Sequence, residues 1–221
     1  MSDPEVHYAV RSRVAVLTLD APPANCYSHP LMKKLDAAIL QARFDDEVEV
    51  IVLTGAGDRF FCAGADIAML ATVTPSFKNS FCLHANETLN RLEQTPKVTI
   101  AALNGHAVGG GFEVAMACDL RVARKDGGKW GLPEIKLGVL PGTGGTQRLT
   151  RLVGHQKALR WMLEAKTGSF HEGLSEGVID HVFDEVDFLE HVLTLAGRFT
   201  SPHTAPLAAG LIKRAVQSGG G

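Results

Sequence analysis

The stretch from Val98 to Asp119 restricts the possible folds more than any other part of the chain. Val98 to Leu103 is an unbroken apolar run of strand length; Gly109, Gly110 and Gly111 follow, and Phe112, Ala115 and Met116 then open an apolar face at helical spacing. A strand, a tight turn and a helix start are the expected result. Glycines let the backbone approach a ligand closely, and the first turn of a helix offers unpaired N–H groups at the positive end of the helix dipole. Such a turn can hold an anionic oxygen. Glu113, one helical turn past Gly110, adds a carboxylate suited to proton transfer beside those donors. The same glycines would serve equally well for close packing of a helix on a sheet, so the segment alone leaves both roles open.

The flanking chain alternates strand and helix patterns. Val14 to Leu19 reads as a strand closed by Asp20-Ala21-Pro22-Pro23, and Ser28-His29-Pro30 as a helix start leading into Leu31, Leu35, Ala38, Ile39 and Ala42. Val48 to Leu53 is a second strand, apolar almost throughout, as expected when both sheet faces are covered. Asn79 to Leu92 carries helical spacing, Leu120 to Ala123 is a short strand, and Val178 to Val182 another. Helices are expected over Phe188 to Phe199 and Leu207 to Val216. This alternation predicts an α/β fold with crossover connections.

With 221 residues, 45% of them hydrophobic, the chain can bury a substantial core in one domain. A net charge of −2, with both signs interspersed, gives no footprint for nucleic acid or a membrane surface. Met1 to Val10 has no apolar h-region, so a cytoplasmic location is expected. Cys26, Cys62, Cys82 and Cys118 are too scattered for a zinc site or a disulfide framework, and the histidines show no metal-ligand spacing. No metal is expected.

Four further segments bear on chemistry. Ala63-Gly64-Ala65, inside Phe60 to Ile67, is a second place where backbone could approach a ligand, although a packed loop of small residues fits as well. Trp130-Gly131-Leu132-Pro133-Glu134-Ile135 sets a carboxylate in an apolar neighbourhood, where desolvation would raise its pKa towards that of a neutral-pH proton donor; a helix-terminal charge is the alternative. Pro141 to Arg148 is glycine-rich but meets neither nucleotide-binding fingerprint, and reads as a turn and helix start. Gly173-Leu174-Ser175-Glu176-Gly177 matches a nucleophile-elbow pattern in the wrong context, with its strand after the serine instead of before it. His106 reads as a structural histidine.

Four of these motifs stand in order: Phe61 to Ile67, Asn104 to Asp119, Gly131 to Gly138, and Pro141 to Leu149. Together they resemble the enoyl-CoA hydratase/isomerase (crotonase) family, over Val14 to about Val182. The resemblance implies an α/β spiral of ββα units forming a core over residues 1–185, with a short, partial C-terminal helical region over 186–221. It also implies homotrimers or dimers of trimers. By the same resemblance, the N–H groups of Ala63 and Gly110 form an oxyanion hole for an acyl-CoA thioester, and Glu113 and Glu134 hold a water between them. Glu113 would activate that water and Glu134 protonate C2. Ala65, Asp66, Ile67 and Gly109 would contact the substrate. No cofactor is implied, because coenzyme A is part of the substrate.

Two departures stand out. Family members commonly continue past this chain's last residue with further helices, and many carry a CoA-binding lysine where this chain has Ala68. Two carboxylates favour reversible hydration of a trans-2-enoyl-CoA. The alternatives are an isomerase or other lyase of the family, or a non-catalytic acyl-CoA-binding subunit.

Overall fold

The computed structural model describes residues 3–219. The elements in order are β1 (Glu5–Arg11), β2 (Val14–Asp20), α1 (His29–Phe44), β3 (Val50–Gly55), β4 (Phe60–Cys62), α2 (Ile67–Thr72), α3 (Pro75–Glu93), β5 (Val98–Leu103), β6 (His106–Val108) and α4 (Gly110–Met116). They continue with β7 (Leu120–Arg124), β8 (Lys129–Gly131), a 3₁₀ turn at Glu134–Leu137, α5 (Gly145–Val153), α6 (His155–Leu163), β9 (Thr167–Ser169), α7 (Phe170–Glu176), β10 (His181–Phe183), α8 (Phe188–Gly197) and α9 (Pro206–Ser218). The predicted α/β class and crossover connections are what the structure has.

Two sheets carry the architecture. The larger has the order β1-β2-β3-β5-β7-β10, and every pairing in it is parallel except β1 with β2. Its strands are apolar on both faces for a physical reason: alternate residues enter different cores. Ile51 and Leu53 of β3 point into the main core with Leu17, Leu35, Leu103 and Phe112, whereas Val50 and Val52 meet Val14, Ile100, Val122 and the α8 residues Phe188, Val192 and Ala196. Helix α8 thus seals the outer face.

The smaller sheet, ordered β4-β6-β8-β9, positions the site. β4, β6 and β8 are mutually parallel neighbours, so their C-terminal ends lie side by side. From those ends depart Ala63-Gly64-Ala65, Gly109-Gly110-Gly111 and Leu132-Pro133-Glu134. Three motifs far apart in the chain are brought to one edge, the place where ligands gather in parallel sheets.

Some expectations need correcting. Glu5–Arg11 is a strand that the sequence reading left unassigned, held antiparallel to β2 from Glu5↔Asp20 to Arg11↔Val14. The predicted strand over Val178 to Val182 pairs only from His181, because the N–H groups of Val178 and Ile179 donate to Gly173 O and finish α7. Ser175 lies inside α7, its hydroxyl donating to Glu172 O at 2.8 Å, which confirms that it is no elbow nucleophile. Among the described residues, no helix is long and apolar enough to cross a membrane, and no group of three or more His, Cys, Asp and Glu could hold a metal ion.

Candidate active site

A cavity of about 510 Å³ opens at this strand edge, its wall including Tyr27, Ala65, Phe81, Val108, Glu134 and Thr143. Gly109 occupies φ 57° and ψ −136°, a conformation that favours glycine, and it turns the chain from β6 into α4. The turn delivers Glu113 into the interior, where it is 2% exposed.

Glu113 is held by the loop before α5. Its Oε1 accepts from Thr143 N–H at 2.8 Å and Gly145 N–H at 2.7 Å, and its Oε2 accepts from the Thr143 hydroxyl. Burial leaves its pKa raised overall, although these three donors and the nearby Arg148 guanidinium pull the other way. All four favour the ionised form. Arg148 is itself anchored, donating to Thr143 O at 3.0 Å and to Glu93 Oε2 at 2.7 Å.

Glu134 has the opposite surroundings. Both its carboxyl oxygens are screened from solvent and lack a hydrogen-bond partner of ordinary geometry among the described residues. Burial pushes its pKa up to about 7, its own backbone N–H offsets part of that rise, and the charge of Glu113 adds to it. Its position at the start of a 3₁₀ turn, which the sequence allowed as a helix-terminal charge, coexists with a side chain on the cavity wall. One carboxyl is thus provided with donors from a facing loop and the other with none beyond its own backbone N–H.

The backbone donors require a correction. Ala63 N–H, expected in the oxyanion hole, donates to Ala24 O at 3.1 Å and is already committed. The N–H groups of Ala65 and Gly110 have no acceptor among the described residues. Gly64, at φ +95°, brings the two segments together: a Cβ on it would lie 3.0 Å from Gly110 N.

Of the predicted contact residues, Ala65, Ile67 and Gly109 line the cavity. Asp66 does not; its Oδ1 accepts from Met69 N–H at 3.0 Å and caps α2. His106 accepts from Lys129 N–H at 3.1 Å and is kept neutral chiefly by burial, a structural role. The sequence reading missed Tyr27 and the use of Thr143 and Gly145. A glycine-rich turn before a helix signals free N–H groups at Gly144-Gly145 just as it does at Gly109-Gly110.

Two screened carboxyls near two backbone N–H groups without acceptors, at the C-terminal ends of three parallel strands of an α/β fold, form an arrangement that can move protons beside a polarised carbonyl. The enoyl-CoA hydratase/isomerase family model matches residues 9–218, and the chain belongs to that family. It is 38% identical over 208 residues to a short-chain-enoyl-CoA hydratase of Clostridium acetobutylicum, covering 94% of this chain and 78% of that one. A crotonyl-CoA hydratase of Syntrophomonas wolfei is 36% identical, with 94% and 79% covered. Among solved structures, an enoyl-CoA hydratase from Geobacillus kaustophilus superimposes with a TM-score of 0.94 at 39% identity, covering 99% of this chain and 82% of that one.

Proposed function

We propose that this chain is an enoyl-CoA hydratase that adds water reversibly to a trans-2-enoyl-CoA, giving a 3-hydroxyacyl-CoA. The observation that carries this reading is the contrast between Glu113, held by three donors, and Glu134, held by none. An ionised Glu113 takes a proton from water as the oxygen attacks C3, and a neutral Glu134 delivers a proton to C2. The thioester oxygen, carrying enolate charge between these events, rests on Ala65 N–H and Gly110 N–H. Each such donor supports the transition state by about 2.7–4 kcal/mol in comparable sites.

The relatives named as hydratases support the acyl-CoA substrate, and the coenzyme brings its own activation of C2. The same reading takes the protein as cytoplasmic, as a homotrimer or dimer of trimers, and as needing no added cofactor. An isomerase would need only one of the two carboxylates, and the presence of both disfavours it.

The test is the ultraviolet absorbance of a short trans-2-enoyl-CoA with the purified protein. Loss of the conjugated-thioester band with formation of the 3-hydroxyacyl product is expected; a folded protein that leaves the band intact overturns the reading. The pH profile adds a sign. Because hydration uses the protonated form of Glu134, kcat/KM falls as pH rises through about 7, tending to tenfold per unit. In Glu134→Gln that limb is absent from the residual rate.

A further inference from the structure

Resting on the reading of Glu113 as the base, the geometry points to Tyr27 as a positioning residue for it, acting through the Thr143 hydroxyl. Tyr27 lies between β2 and α1, is 4% exposed, and meets the Ala65 segment, Gly110 and Thr143. Through its backbone it fixes the Ala65 segment: its N–H donates to Gly64 O at 2.9 Å, and its carbonyl accepts from Asp66 N–H at 3.0 Å. Ala65 N–H, between these two bonds, is left free. Through its ring it forms cavity wall against Phe81, with centroids 6.1 Å apart. Its hydroxyl reaches Thr143 Oγ1 at 3.2 Å and sits so close to the Gly110 backbone that a Cβ there would lie 2.1 Å from it.

The proton order in this chain follows from counting. Thr143 has one hydroxyl proton, and an ionised Glu113 can only accept, so that proton is committed to Glu113 Oε2. The Thr143 oxygen must then accept from Tyr27. The chain runs Tyr27 O–H to Thr143 O–H to the carboxylate, each bond polarising the next. Burial, then the charge of Glu113, keeps the phenol protonated and fit to donate. Tyr27 therefore fixes the Thr143 rotor in the orientation that favours ionised Glu113.

The groups that bear on Glu113 from its neighbours are Arg148 on α5, Glu134, Cys82 on α3, and Tyr27 itself. None of the first three hydrogen-bonds to the Thr143 hydroxyl, so a change confined to Tyr27 reports on the chain. Glu113→Gln is measured first: if it keeps near-normal turnover, the base assignment fails, and with it the ground for this inference. With Glu113→Gln inactive, Tyr27→Phe is expected to lower kcat about 3- to 10-fold with KM within about twofold, the loss of one hydrogen bond felt only through the base. The acid limb of kcat should move up by about 0.5 pH unit, since less donation to the carboxylate makes it easier to protonate. Thr143→Val should move it further, Thr143→Ser should restore it, and the double variant Tyr27→Phe with Thr143→Val should be no worse than Thr143→Val alone. The inference is overturned if Tyr27→Phe keeps the wild-type kcat and acid limb, if only KM changes, as for a mere wall residue, or if the two substitutions are additive.

Discussion

Glu113→Gln and Glu134→Gln are each expected to lower hydration turnover about 10²- to 10⁴-fold, the range for positioned general acid and base groups. Their effects on stability should differ. Glutamine at 113 can still accept from Thr143 N–H and Gly145 N–H through its carbonyl oxygen, and its amide can donate to the Thr143 oxygen, so folding should survive. At Glu134 the substitution removes an ionisable group without a partner. The folded-state pKa there is about 7, raised above the ordinary 4.5, so between those values the unfolded chain releases a proton that the folded chain keeps. Stability associated with the neutral carboxyl is fully present below pH 4.5 and is lost as pH rises through about 7. The shift corresponds to about 3 kcal/mol, which partial exposure reduces to about 1–2. Glu134→Gln should therefore melt higher than wild type at pH 8 and equally at pH 4, while being far less active at both neutral and alkaline pH. Thermal melts at the two pH values, run beside the absorbance assay, check both halves. A Glu134→Gln protein that turns over within tenfold of wild type defeats its role as acid.

That opposition between stability and activity was partly legible in the sequence. Glu134 stands beside Trp130, Leu132 and Pro133, and an apolar setting for a carboxyl can be read from neighbours in the chain. Glu113, one turn into a glycine-led helix, was legible in the same way. What escaped depends on partners distant in sequence. Ala63 and Ala65 are the same residue type two positions apart, and the donor already committed is decided by the carbonyl of Ala24. Nothing within Phe60 to Ile67 distinguishes them. The strands β4, β6, β8 and β9 have three residues each, too few to display a period, and exist because each meets the next. In sequence Tyr27 is a lone aromatic after a turn, and its hydroxyl acquires meaning only when the Pro141 to Arg148 loop brings Thr143 to it. In sequence that loop reads as a turn and helix start; its N–H groups become donors to Glu113 only because α4 places that side chain opposite them.

Gly64→Ala tests the oxyanion hole from the other side, by adding an atom instead of removing a charge. Two effects are superposed in this substitution. At φ +95° any L side chain is strained, by roughly 1–2 kcal/mol. The added Cβ would also sit 3.0 Å from Gly110 N and 3.4 Å from Val108 O, crowding the proposed donor. If the donor pair works as proposed, obstructing one member costs about 10²–10³ in kcat, as for other sites that lose a single oxyanion donor. Strain alone predicts a lower melting temperature and little else. Gly177→Ala separates the two, because Gly177 adopts a comparable φ of +80° at the end of α7, with nothing within 4 Å of its added Cβ. Gly177→Ala should lose the stability that strain alone costs and Gly64→Ala at least as much, read as the midpoint of denaturant unfolding, and only Gly64→Ala should lose turnover. Binding of a saturated acyl-CoA, which cannot react, should weaken far less than kcat falls, since the ground-state carbonyl carries little of the charge the donors are placed to meet. Equal activity in the two variants would mean that Gly64 serves the backbone turn alone, and that the carbonyl is polarised elsewhere in the cavity.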